Sequence, residues 1–165
     1  MHAYSPADWQ SFYVAVVGAA AALTGLLFVA VSINLANILK EDSMLPTRAA
    51  ETLGSLLFVM VAAALTLVPQ NIRLLGAEIL AIAAPLLVVT LWTQLSYRRG
   101  HPDDPLYWSV SRITASAAAT VPGTLAGLSL TAHWGGGLYW LVPTAVGGIA
   151  GAVYSAWVLL VEIIR

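Results

Sequence analysis

The sequence predicts an all-α integral membrane bundle of five transmembrane helices, and three observations carry that prediction. Residues 12–39 contain no charged side chain in 28 consecutive positions, and an apolar run beyond about eighteen residues crosses some 30 Å of hydrocarbon as a helix. Hydrophobic residues make up 59% of the 165 and charged residues 9%, against about 25% charged in a soluble domain. The seven basic residues are also shared very unevenly between the polar breaks.

Taken in order, the apolar segments fall at about 12–39, 50–68, 72–97, 113–133 and 138–164, in one transmembrane domain spanning 1–165. The breaks between them are residues 40–48, 69–71, 98–112 and 133–137. Breaks this short predict consecutive helices lying antiparallel and side by side, gathered around the first. With five spans, Lys40, Arg48, Arg98, Arg99, Arg112 and Arg165 share one side and Arg73 is alone on the other. The positive-inside rule then places the N-terminus outside and the C-terminus in the cytoplasm. The first eleven residues lack Lys and Arg, so the first segment is expected to be a retained helix and not a cleaved signal. Trp9, Phe12 and Tyr13 at one side, Trp92, Tyr97, Tyr107 and Trp108 at the other, and Trp134, Tyr139 and Trp140 between the last two spans are expected to form interfacial belts.

The fourth segment is rich in Ala, Ser and Thr and carries Pro122-Gly123. It suits the bundle interior better than lipid. Pro122 deprives the Ala118 carbonyl of its helical donor, a loss that a nearby hydroxyl is expected to relieve. Pro85 and Pro143 predict similar bends.

Several functions are disfavoured. The chain has no Cys, which removes disulfides, thiolate metal sites and thiol nucleophiles. A net charge of −1 without a basic run argues against nucleic acid as a partner. His2, His101 and His133 lie far apart and no HExxH occurs, so no enzyme activity, metal or cofactor is expected.

Four groups of residues remain as candidates. Gly18, Ala22 and Gly25, continued by Val29, Ser32 and Ala36, form a small-residue stripe on the first helix, and Gly147 and Gly151 have GxxxG spacing on the fifth. Both are expected to be helix-packing seams. Asn34 and Asn37 on the first helix and Arg48, Glu51 and Thr52 on the second should meet at one membrane depth, as a hairpin clamp or as a ligand, proton or partner site. Glu78 reads either as an interfacial carboxylate capping its helix or as a proton or cation site. Ser116, Thr120, Thr124 and Thr131 form a hydroxyl stripe on the fourth helix, for packing or for lining a path.

Two resemblances add to this reading. The run Ala132-His133-Trp134-Gly135-Gly136, with Ser129 one turn before His133, resembles the histidine segment of rhomboid intramembrane proteases. That family takes its serine from a GxSG motif on another helix, whereas this chain has Gly127-Leu128-Ser129-Leu130. Gly18 to Leu35 and Leu45 to Leu53 resemble a family of small bacterial multi-pass membrane proteins with no established chemistry, some labelled as modulators of the FtsH-type membrane protease. That resemblance implies a bacterial inner-membrane protein and supplies no catalytic residue. The expected role is a non-enzymatic accessory or regulatory subunit, acting within the lipid bilayer by lateral packing with itself or another membrane protein. The alternative is a homo-oligomeric channel or small transporter with its path along the fourth helix.

Overall fold

The computed structural model describes residues 2–33, 35, 45–100 and 106–164. These form helices and their connections, with no strand among them. Two 3-10 turns, His2–Tyr4 and Pro6–Trp9, lead into α1 (Gln10–Ile33). Then come α2 (Leu45–Thr66), α3 (Ile72–Gly100) and α4 (Leu106–Ala132). A further 3-10 turn, Gly137–Trp140, opens directly into α5 (Leu141–Ile164).

Among the described residues, four segments are long and apolar enough to cross a membrane: Pro6–Ile33, Ala49–Leu67, Ile72–Ser96 and Gly137–Trp157. The fourth expected span lies in a helix of 27 residues, of which the described stretch Ala117–Ala132 is apolar. The helix also begins seven residues before the expected boundary at 113, so most of the break at 98–112 is helical, divided between the end of α3 and the start of α4. Backbone hydrogen bonds continue through Ser109, Ser111 and Arg112 whether or not lipid surrounds them; hydropathy stops there, and the helix does not. Pro143 lies in the first turn of α5, where its missing N–H is tolerated.

Packing order departs from chain order. The most extensive contact is α3 with α4, followed by α1 with α2, α4 with α5, and α2 with α5. Helices α2 and α3 meet far less, although only residues 67–71 join them. It is α2 that touches each of the other four, while α1 lies at the periphery with 17% of its span buried. The expectation of a bundle gathered around the first helix is corrected on this point.

Glycines decide the close approaches. A Cβ at Gly76 of α3 would sit 2.6 Å from the Thr131 backbone nitrogen, and one at Gly127 of α4 would sit 2.8 Å from that of Leu80. Only hydrogen fits between these two backbones. Around this crossing Leu75, Ile79, Ala83, Ala126 and Leu130 are buried. A Cβ at Gly147 of α5 would overlap the Ala118 carbonyl oxygen, the group that Pro122 leaves without its helical donor. The α5 backbone therefore lies directly on the proline break, where a Cα–H can meet the carbonyl.

Gly18 and Gly25 behave otherwise. Nothing approaches within 4 Å of a Cβ built at either one. Gly18, Ala22, Gly25, Val29 and Ser32 are all exposed, and α1 packs instead through Tyr13, Val16, Ala20 and Leu27. The stripe is not a seam within this chain. Ala36 lies outside the described residues, and Gly151 is half-buried.

Candidate functional site

The polar groups of the bundle gather in two places between α2 and α3, one near each end. At the end where α3 carries Arg98 and Arg99, Glu51 of α2 accepts a hydrogen bond from Thr93 of α3, with Oγ1 2.9 Å from Oε1. The same hydroxyl lies 2.9 Å from the Thr90 carbonyl, so one hydrogen serves two acceptors. Thr52, Thr90 and Gln94 are buried there. At the opposite end, Gln70 in the α2–α3 link donates from Nε2 to Glu78 Oε2 at 2.8 Å and to the Leu65 carbonyl at 3.2 Å. It ties α3 to the last turns of α2. Asn71 caps α3, its Oδ1 accepting the Arg73 N–H at 2.9 Å.

These contacts redistribute the expected cluster. Glu51 reaches across to α3, and Thr52 is buried nearby. Asn34 and Asn37 lie outside the described residues, as do the side chains of Arg48 and Ser116. The role of capping α3 belongs to Asn71, and Glu78 is instead held by Gln70. Gln70 and Thr93 carried no local sequence signal. Each matters through a residue eight or 42 positions away, on or across a helix boundary.

On α4 the stripe is turned inward on its own helix. Thr120 is fully buried. Thr124 donates to the Thr120 carbonyl at 2.8 Å and Thr131 to that of Gly127 at 2.7 Å. These are ordinary back-bonds one turn earlier.

A third cluster closes the end formed by the N-terminal turns. His133 takes a left-handed conformation after the last residue of α4, and the Trp134 N–H returns to the Ser129 carbonyl at 3.0 Å, a Schellman closure. Ser129 Oγ donates to the Trp134 carbonyl and accepts the Gly137 N–H at 2.7 Å. The His133 ring stacks on Tyr4 with centroids 4.3 Å apart. Ser129 thus holds the turn while His133 faces another partner, so the two are not arranged as nucleophile and base. Trp9 meets Tyr139 edge-on at 4.8 Å, and the Tyr13 hydroxyl points at the Leu138 carbonyl, 3.4 Å away. Tyr13 is 1% exposed, a core residue where an interfacial one was expected. Its ring fills the space beneath the last 3-10 turn.

Among the described residues, no three of His, Asp and Glu gather as metal ligands would. The two carboxylates between α2 and α3 stand at opposite ends of the interface, each held by a neutral donor. Such an arrangement fixes helices. No protein family, curated protein or solved structure matches the chain.

Proposed function

We propose that this protein is a multi-pass component of the bacterial inner membrane that performs no chemistry and acts as an accessory or regulatory subunit. It works through lateral helix contacts, with a second copy or with another membrane protein such as a membrane protease. The observation that carries this reading is the outward stripe of Gly18, Ala22 and Gly25. Gly76 on α3, Gly123 and Gly127 on α4, and Gly147 and Gly148 on α5 are consumed by contacts within the chain, whereas Gly18 and Gly25 have open space above them. In lipid, helices associate where small residues let backbones approach, and such a face is suited to an incoming helix. The described contacts between α2 and α3 support the same reading, because Thr93 and Gln70 bind the Glu51 and Glu78 carboxylates and so join the two helices.

The test uses the absence of Cys in the chain. Ala22→Cys should form disulfide-linked dimers, or adducts to a partner, in native membranes. Adding Gly18→Leu and Gly25→Leu should reduce them about tenfold, the factor given by a loss of about 1.4 kcal/mol of association. Unchanged crosslinking would reject the α1 face. The competing channel predicts proton or ion flux in liposomes that is lost with Thr124→Val or Glu78→Gln; the accessory reading predicts no flux.

A further inference from the structure

The two polar contacts between α2 and α3 bracket an apolar groove. A space of about 380 Å³ opens between the two helices, lined by Gly54, Leu57, Phe58 and Val61 of α2 and by Ile82, Pro85, Leu86 and Val89 of α3. Phe58, 2% exposed, forms the floor, and Leu57 and Val89, 44% and 53% exposed, stand at the rim. Glu51–Thr93 lies beyond one end and Gln70–Glu78 beyond the other.

The dimensions bear on the occupant. From Gly54 to Val61 the groove runs about 10 Å. Its lining is apolar and it opens to the side, so a hydrocarbon chain can enter it from the bilayer. The line of Ile82, Leu86 and Val89 continues along α3 through Thr93 and Ser96, and Arg99 stands one turn beyond Ser96, about a quarter-turn round the helix from that face. Arg98 points to the opposite side of the helix. Ser96, Arg98 and Arg99 are exposed. One leaflet holds about 15 Å of hydrocarbon, or about ten residues of helix. Counted back from Ser96, that reaches Leu86, in the middle of the groove.

We infer that the α2–α3 groove is a binding site for a single phospholipid. One acyl chain lies over Phe58 between Leu57 and Val89, and Arg99 meets the phosphate of an anionic headgroup. Trp92, 68% exposed on the same edge as Arg99, lies alongside the glycerol region, as interfacial indoles do. The reading does not depend on the α1 contact face, which lies on another helix.

Native mass spectrometry of the detergent-solubilised chain with added palmitoyl-oleoyl phosphatidylglycerol tests it. One lipid per chain should be retained, in preference to the zwitterionic phosphatidylcholine of the same chains. Arg99→Gln should weaken phosphatidylglycerol binding about fivefold, the value of one basic residue near an anionic surface, with Arg98→Gln nearly silent. Leu57→Trp and Val89→Trp fill the groove from its exposed rim, and each should abolish retention of both lipids. Two variants on different helices keep the test decisive if one folds poorly. Equal retention by wild-type and rim-filled chains would overturn the site. So would Leu57→Cys crosslinking to another polypeptide in membranes, which would make the occupant a helix.

Discussion

Gly127 lies against the Leu80 backbone and Gly147 against the Ala118 carbonyl, so at both positions one methyl group must push two helices apart. Gly127→Ala and Gly147→Ala should each destabilise the protein by about 1–3 kcal/mol, the usual cost of overpacking. Gly18→Ala, with nothing above it, should be neutral or slightly stabilising, because Ala favours the helix over Gly by up to about 1 kcal/mol. Thermal denaturation in detergent separates them: equal melting shifts at positions 18 and 127 would contradict the packing. Spacing within one sequence marks a face that a backbone can approach. It does not name the helix that approaches it. For that reason Gly147 was legible as a contact while the α1 stripe, with equally good spacing, is unused inside the chain. Gly76, alone in its helix turn, was not visible at all.

At the level of elements, α2 and α3 are joined by few side chains, and the joints can be weighed. Removing a hydrogen-bond partner from a charged group costs about 1.5–3 kcal/mol. Glu51→Gln, Thr93→Val and the double variant form a cycle in which the two losses should fall short of additive by about 1 kcal/mol. Strict additivity would mean that the carboxylate and hydroxyl act separately. Gln70→Ala removes both of its donors at once, to Glu78 and to Leu65, and should loosen the link between the helices, read as faster backbone hydrogen exchange at the start of α3. The helices themselves were legible from hydropathy, since apolar runs of this length have few alternatives in lipid. Their ends were less so. The start of α4 at Leu106 lies among Ser and Arg residues that end an apolar run without ending a helix. The partners of Glu51 and Glu78 depended on which helices meet, which no single segment records.

For the molecule as a whole, uniform apolarity hides the packing order. The buried face of α1 holds Tyr13, Val16, Ala20 and Leu27, and its open face holds Val14, Leu26, Phe28 and Ile33. Lipid tails and protein interior are equally apolar, so no hydrophobic periodicity distinguishes the two faces, and the central position of α2 leaves no trace in composition. Basic residues remain the readable global signal. If Arg98, Arg99 and their neighbours set the orientation, a C-terminal green fluorescent reporter should fluoresce and a C-terminal alkaline phosphatase should be inactive. The reverse pattern would invert the topology.

The contacts that close the N-terminal end also impose an order in time. Tyr13 reaches Leu138, 125 residues later, and Tyr4 stacks on His133. Neither contact can exist until the ribosome has made residues 133–138. The first segment therefore waits, with a phenol and a row of aromatic rings unsatisfied, for the turn that follows α4. Closure of this end awaits residues 133–138, and a chain truncated before His133 carries an open end that distinguishes it from the closed bundle.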